Sequence, residues 1–201
     1  MPKLINGGVK IDPKTQLILE YVKLLYQSSF QNWIDNVVFT PRWWIILGLL
    51  VVPWIVWYRL VYKKRIIEML AYGLVMSGII LLIDEVGCEL TLWTYPVKLI
   101  PIFPRLMAIS SSLAPTVYML LYQYFPKWKA FIIANIILSL VFSFILEPIL
   151  VWMNLYDLVT WKYINSVPTY LFAAILLKLF AEKIKRIQHN ALDADIQKST
   201  R

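Results

Sequence analysis

Apolar residues run for the length of a membrane span at several places in the chain, and this feature most constrains its fold. The clearest run is 43–62, WWIILGLLVVPWIVWYRLVY, in which only Arg59 is charged. A helix needs about 20 apolar residues to cross a hydrocarbon layer roughly 30 Å thick. The whole chain is 60% hydrophobic and 16% charged, whereas soluble domains are about 45–50% apolar and about 25% charged. The sequence therefore predicts a membrane protein.

Five segments of this kind predict an all-α fold, a polytopic transmembrane helical bundle of about five spans. Pro53 lies near the middle of the first span and predicts a kink there. The connection between the second and third spans carries three prolines that exclude one unbroken helix, so we expect an interfacial or re-entrant segment. The predicted spans are 43–62, 66–84, 106–125, 130–153 and 167–180, and this connection covers 87–105.

The chain divides into three parts around the predicted bundle. Residues 1–42 form a polar and amphipathic N-terminal segment, 43–182 the transmembrane bundle, and 183–201 a basic polar tail. Within the first part, residues 14–39 place apolar side chains at roughly helical spacing and predict an amphipathic helix. This pattern leaves two interpretations open, a helix on the membrane surface and a helix packed against the spans.

Charge and the scarcity of reactive side chains limit the classes of function. The net charge is +8, but the basic residues cluster in short connections and in the C-terminal tail, as expected at the cytoplasmic ends of spans. We therefore predict a cytoplasmic C-terminus and no nucleic-acid partner. The single cysteine and single histidine, Cys88 and His189, exclude an internal disulfide and multi-cysteine or multi-histidine metal sites. No complete catalytic or cofactor-binding motif is found, so neither a cofactor nor a bound metal is predicted.

Glu147 is the most informative polar residue, because it stands inside the apolar run FSFILEPILVW at 142–152. Counted from the predicted start of its span, it lies about 25 Å along the helix, inside a hydrocarbon layer about 30 Å thick. An ionised carboxylate that faces lipid at this depth costs about 1–3 kcal/mol. Glu147 is therefore predicted to face the interior of the bundle, beside a break in the helix at Pro148.

Small polar residues precede Glu147 at intervals of four. Asn135, Ser139 and Ser143 drift by only about 40° per step, so they lie on one side of the helix with the glutamate. Such a stripe either joins helices through hydrogen bonds or lines a wet path. Both interpretations stay open from the sequence.

Acidic residues at the end of the second span predict a charged layer at the level of Glu147. Asp84 and Glu85 close that span, which we take to run opposite to the fourth, and Arg105 opens the third span on the same side. An arginine shared by two or three carboxylates satisfies them, whereas surplus acid attracts protons or cations. The hypothetical substrate- or ion-binding site consists of Glu147, Asp84, Glu85, Arg105, Asn135, Ser139 and Ser143.

Four short motifs within residues 92–172 resemble a group of known sequences. They are LWTYPVKLIPIFPR, YMLLYQYFPKWKAF, FSFILEPILVW and YDLVTWKYINSVPTY. In these motifs the chain is similar to an uncharacterised family of small polytopic membrane proteins from spore-forming Gram-positive bacteria. The resemblance implies a location in the bacterial cell membrane and no particular activity. The matching positions are Tyr122, Gln123, Trp128, Lys129, Phe144, Glu147, Pro148, Tyr156, Trp161, Lys162, Ser166 and Tyr170.

Three functions of different classes are compatible with the sequence. A non-catalytic scaffold or accessory subunit ranks slightly first, because no chemical motif is complete. The alternative is a small oligomeric transporter or ion-coupled permease that uses Glu147 and the outer-leaflet carboxylate layer. An enzyme acting on lipid ranks third. The expected partners are the lipid bilayer and either a second copy of the chain or another membrane protein.

Overall fold

The protein is an all-α helical bundle, as the sequence predicts. A computed structural model describes residues 12–102 and 107–199. The helices are α1 (Pro13–Asn36), α2 (Pro41–Leu60), α3 (Ile66–Glu89), α4 (Ala114–Tyr124), α5 (Trp128–Val141), α6 (Glu147–Trp152) and α7 (Tyr163–Ser199). Two short antiparallel strands are β1 (Trp93–Thr94) and β2 (Asp157–Leu158). A 3-10 turn at Lys63–Arg65 precedes α3, and π-helical segments at Ile109–Leu113 and Phe142–Leu146 lead into α4 and α6.

Within the described residues, four helical segments are long and apolar enough to cross a membrane. They are Pro41–Leu60, Lys63–Glu89, Trp128–Trp152 and Tyr163–Ala191. The remaining predicted span is helical over residues 107–124 but is richer in polar side chains. Its Thr116, Tyr118 and Gln123 are buried among the other helices. Because its neighbours shield it, this helix tolerates polar residues that would be costly against lipid.

Both π-helical segments precede a proline. Pro115 and Pro148 each stand within the first two positions of the helix that follows. Proline has no N–H for the carbonyl four residues earlier and its ring clashes with that carbonyl, so a wider i→i+5 turn relieves the contact. Pro53 instead lies inside a continuous α2. There the hydroxyl of Ser112 donates to the carbonyl oxygen of Leu50 at 2.7 Å, so the neighbouring helix supplies a donor close to the proline.

Contacts at the two ends of the bundle establish the direction of each helix. At one end, the hydroxyl of Ser110 donates to Asp84, which places the end of α3 beside the start of the helix that contains α4. At the other end, the hydroxyl of Tyr122 donates to Oε1 of Glu68 at 3.2 Å, which places the start of α3 beside the end of α4. α3 and α4 therefore run antiparallel to each other.

We call the two ends of the bundle the acidic end and the basic end. The acidic end comprises the connections 90–102 and 153–162, and the basic end comprises 61–65, 125–127 and the second half of α7. The fourth predicted span begins at the basic end directly after α4, and its Glu147 lines the same cavity as Asp84. The second and fourth spans therefore run in the same direction, so the expectation of opposite directions was wrong. The third predicted span runs in the opposite direction between them, so the second and fourth spans both end at the acidic end.

The connections of the acidic end form a cap across the bundle. β1 of the first connection pairs with β2 of the second. The indole of Trp33 donates to the carbonyl oxygen of Lys98 at 3.1 Å, and the indole of Trp43 donates to that of Leu99 at 2.9 Å. These bonds tie the first connection to the end of α1 and the start of α2.

The predicted N-terminal helix is present as α1, and it contacts the rest of the fold mainly through its end at Trp33. The side chain of Asp12 caps it by accepting from the backbone N–H of Lys14 at 3.1 Å. None of its residues is buried. Leu17, Ile18 and Leu19 are each about half exposed, although consecutive helical positions point in different directions. α1 is therefore apolar on several sides and does not pack on the spans along its length.

Candidate functional site

A cavity of about 70 Å³ lies beneath the cap at the acidic end. Two carboxylates from different helices line it, Asp84 near the end of α3 and Glu147 at the start of α6. The volume has room for a few water molecules, since one water needs about 10–15 Å³. The other polar side chains of its wall are Trp93, Tyr95, Tyr118, Tyr156, Trp161, Ser166, Thr169 and Tyr170.

Glu147 is buried, with 4% of its surface exposed. The hydroxyl of Tyr170 donates to Oε1 at 2.6 Å, and the hydroxyl of Ser166 donates to Oε2 at 3.2 Å. Both donors lie on one face of α7, because they are four residues apart. The indole N–H of Trp161 donates to the Ser166 oxygen at 3.0 Å and orients it. In the part of the chain that the structure describes, no lysine or arginine forms an ion pair with Glu147.

Asp84 is also buried and receives hydroxyl donors from two other parts of the fold. Tyr95, in the cap, donates to Oδ1 at 2.9 Å. Ser110, in the π-helical segment before α4, donates to Oδ2. The carboxylate of Asp84 therefore joins α3, the cap and the fourth-helix region at one wall of the cavity.

The tyrosines of the cap are held in their neutral form. Burial raises the pKa of Tyr95 well above its ordinary value of about 10, and the neighbouring Asp84 raises it further. Burial also raises the pKa of Tyr156, and the charges of Glu147 and Asp84 add to the effect. The rings of Tyr95 and Tyr156 lie 5.3 Å apart. The cap thus supplies phenol groups that stay protonated at physiological pH.

Buried polar atoms without a partner extend from the cavity along α5. Tyr118 lines the cavity and neighbours Ser139, yet within the described residues neither hydroxyl makes a hydrogen bond of normal geometry. The hydroxyl of Ser143 and Oδ1 of Asn135 are likewise buried and unpartnered there. Nδ2 of Asn135 does donate to the carbonyl oxygen of Leu171 at 3.2 Å. Asn135 thus joins α5 to α7, while each unpaired buried atom costs about 1–3 kcal/mol.

The structure brings two of the sequence-predicted site residues together, Glu147 and Asp84. Glu85 is exposed and does not line the cavity. The three small polar residues of the stripe lie behind the cavity wall rather than on it. Arg105 lies outside the described residues, so its pairing with the carboxylates stays a prediction.

The sequence reasoning assigned no role to the hydroxyl donors around the carboxylates. For Ser166 and Tyr170 a signal was present, since their four-residue spacing places both on one face of the last span at the depth of Glu147. For Tyr95 and Ser110 no comparable signal exists. Their positions depend on how the cap and the π-helical segment meet α3.

Comparison of the chain with protein-family models, with curated proteins and with solved structures finds no match. The class of the protein therefore rests on its own helices and cavity. The four long apolar helices are those of a multi-pass, all-α membrane protein. Its distinguishing feature is a buried acidic cavity bordered by hydroxyl groups near one end of the bundle.

Proposed function

We propose that this protein is a small transporter or ion-coupled permease that binds a proton or a monovalent cation at Glu147 and Asp84. One observation carries the proposal: Glu147 is buried, and its hydrogen-bond donors within the described residues are neutral hydroxyls. A buried charge is normally compensated by an opposite charge or a bound ion. A proton or a small cation would neutralise this carboxylate in place.

The chemistry of the cavity wall suits such an ion. Carboxylate and hydroxyl oxygens are hard ligands, and Asp84, Glu147, Ser166 and Tyr170 supply them from three helices. Hydroxyl groups rotate and can both donate and accept hydrogen bonds. The hydroxyl that donates to an ionised Glu147 can therefore turn a lone pair toward a cation.

The polar stripe of Asn135, Ser139 and Ser143 supports a pathway for the ion between the cavity and the interior of the membrane. Tyr118 connects the cavity wall to Ser139, and Asn135 and Ser143 continue the row along the same side of the helix. Polar groups with spare hydrogen-bonding capacity inside a bundle are those that ion pathways and proton relays use. From Glu147 to Asn135 the row covers about 18 Å at 1.5 Å per residue.

We further propose that the protein resides in the bacterial cell membrane with its C-terminus in the cytoplasm. The basic residues of Lys63–Arg65, Lys127 and Lys129 lie at the same end as the second half of α7, and short basic connections favour the cytoplasm. The resemblance to small membrane proteins of spore-forming bacteria supports the same location. Because so few helices seldom form a transporter alone, we propose a homo-oligomer or a complex with another membrane protein.

The proposal is tested by ion flux in proteoliposomes that contain the purified protein. An internal pH-sensitive dye reports proton movement when a Na⁺ or K⁺ gradient is imposed. We expect flux with the unmodified protein, its loss with Glu147→Gln, and its retention with Glu85→Gln, which makes the same chemical change at an exposed site. Equal flux with Glu147→Gln and the unmodified protein would reject the proposal.

A second function is favoured by α1. This helix is 24 residues long, has no buried residue and exposes apolar side chains on several sides. Such a surface favours a membrane-surface or protein partner, as a non-catalytic scaffold or accessory subunit would have. Absence of any ion flux, together with co-purification of a stoichiometric membrane protein that is lost when residues 13–30 are deleted, would favour this second function.

A further inference from the structure

A groove of about 600 Å³ opens at the basic end, between the start of α3 and the second half of α7. α7 continues without a break past residue 182, so the first part of the predicted C-terminal tail forms one wall. The groove is divided into two chemically different parts. One part carries Lys63, Lys64, Arg65 and Lys185, and the other is lined by apolar residues that include Val75, Leu177, Phe180 and Ile184.

The basic part of the groove keeps a surplus of positive charge. Glu68 is the acidic residue of the lining, and it pairs with Arg65 at 2.9 Å and with Lys185 at 2.6 Å. Arg65 uses Nε and one Nη for this pair, and a guanidinium has further N–H groups to offer. Lys64 makes no hydrogen bond or ion pair within the described residues. Glu68 therefore positions Arg65 and Lys185, but its single negative charge does not cancel the four positive charges of the groove.

A tyrosine whose hydroxyl is buried and, within the described residues, has no partner lines the same groove. Tyr72 lines the groove and is 3% exposed, and within the described residues its hydroxyl makes no hydrogen bond. Its ring stacks on Tyr122 with the centroids 4.4 Å apart and the planes 9° from parallel. A hydroxyl fixed in this way offers a hydrogen bond to a polar group that enters the groove.

The groove also lies at the level where a lipid changes from headgroup to acyl chain. Lys63–Arg65 immediately precede the apolar helix α3, which is the position of a membrane boundary. Ile67, one turn further along, is 81% exposed on a helix apolar enough to span. The opening of the groove therefore faces the bilayer, with its basic part at the headgroup region.

We infer that the groove binds one anionic phospholipid of the leaflet at the basic end. Its phosphate is held by Lys64, Arg65 and Lys185, and the hydroxyl of Tyr72 donates to a phosphate or ester oxygen. One acyl chain follows the apolar part of the groove. Basic pockets between membrane helices bind anionic headgroups for this reason. The inference is independent of the ion site at Glu147, and failure of either leaves the other untouched.

The experiment is native mass spectrometry of the purified protein titrated with phosphatidylglycerol, with phosphatidylcholine as the zwitterionic comparison. We expect one tightly held phosphatidylglycerol and no comparable phosphatidylcholine. The double variant Lys64→Gln with Lys185→Gln removes two of the phosphate-binding charges and should weaken phosphatidylglycerol binding about fivefold per removed charge. The matched control, Lys127→Gln with Lys129→Gln, removes the same charge at the same end outside the groove and should leave binding within twofold.

Two further measurements separate a lipid site from other outcomes. Tyr72→Phe removes only the hydroxyl and should weaken binding several-fold while circular dichroism and the melting temperature stay close to those of the unmodified protein. Glycerol phosphate in large excess should not displace the lipid, because it lacks the acyl chain. Equal losses in the two double variants, or displacement by glycerol phosphate alone, would overturn the inference.

Discussion

Two glutamates of the bundle, Glu147 at the acidic end and Glu68 at the basic end, meet opposite surroundings. Glu68 is partly exposed and pairs with Arg65 and Lys185. Glu147 is buried and meets hydroxyl groups of Ser166 and Tyr170. A carboxylate held by two cations has its charge compensated permanently. A carboxylate held by neutral donors keeps a negative charge that a mobile cation or proton can neutralise.

At the basic end, the buried charge of Lys178 is also compensated by fixed partners. Lys178 is fully buried, and its ammonium donates to the carbonyl oxygens of Phe125 and Pro126 at 3.1 and 2.9 Å. Glu182 stands 3.9 Å from it. Fixed backbone and side-chain partners thus satisfy the buried ammonium of Lys178. The contrast supports the proposal that an ion binds reversibly at the acidic end.

The largest expected effect is on ion binding, and it tests whether the two glutamates differ as described. Glu147→Gln should weaken binding of the cation proposed to bind in the acidic cavity at least a hundredfold, because a buried ionic partner is worth about 3–5 kcal/mol. Isothermal titration of the protein in detergent with Na⁺ and K⁺ measures the affinity. Glu68→Gln serves as the control and should leave the affinity unchanged. A comparable loss in both variants would erase the distinction between the two ends.

The second largest effect is expected from a substitution that disturbs the cap over the acidic cavity and leaves both carboxylates unchanged. A Cβ atom on Gly87 would lie 2.0 Å from the ring of Trp93, which is part of the cap. Gly87→Ala should therefore destabilise the protein by about 1–3 kcal/mol and loosen the cap. Gly78→Ala, on the same helix with nothing within 4 Å of its Cβ, should leave stability equal or slightly higher. Thermal unfolding of both variants checks the difference, and equal melting temperatures would contradict it.

A smaller effect is expected from removing the ion-paired glutamate. Glu68→Gln leaves Arg65 and Lys185 without their carboxylate and should lower the free energy of unfolding by about 1 kcal/mol, since both cations are partly exposed. The loss should shrink in high salt, because salt screens such pairs. Denaturant unfolding at low and high salt measures it. A salt-independent loss would show that packing, not charge, is affected.

The smallest effect at neutral pH comes from the cap. Tyr95→Phe removes one hydrogen bond to Asp84 and should cost about 1 kcal/mol. Because burial raises the pKa of Tyr95 in the folded protein, the unfolded chain loses the phenol proton first as the pH rises above about 10. The contribution of Tyr95 to the free energy of unfolding is therefore complete below this pH and declines above it. The variant lacks this contribution, so its stability should decline less steeply with pH. Unfolding measured from pH 8 to 11 tests the slope; equal slopes would contradict the assigned environment.

The spans and the burial of Glu147 were predictable because both follow from local composition. An apolar run of membrane length specifies a helix in lipid, and a carboxylate within such a run must turn inward. The third predicted span is helical, but within the described residues it is not among the four helices long and apolar enough to cross a membrane, and its polar residues lie inside the bundle. These properties need no knowledge of which helices touch.

The partners of the carboxylates were not predictable in the same way. Ser110 reaches Asp84 because a π-helical segment before Pro115 widens the helix there, and Tyr95 reaches it from the cap. The shared direction of the second and fourth spans was misjudged. Such contacts depend on the arrangement of elements distant in sequence, which no single segment encodes.

The central claim, that Glu147 changes its ionic state with ion occupancy, is tested most directly by infrared difference spectroscopy of the protein in lipid films. Exchange between Na⁺- or K⁺-containing and ion-poor buffer should change a carboxyl or carboxylate band that is absent from the spectrum of Glu147→Gln and retained in that of Glu68→Gln. A difference spectrum identical in the unmodified protein and Glu147→Gln would contradict the account.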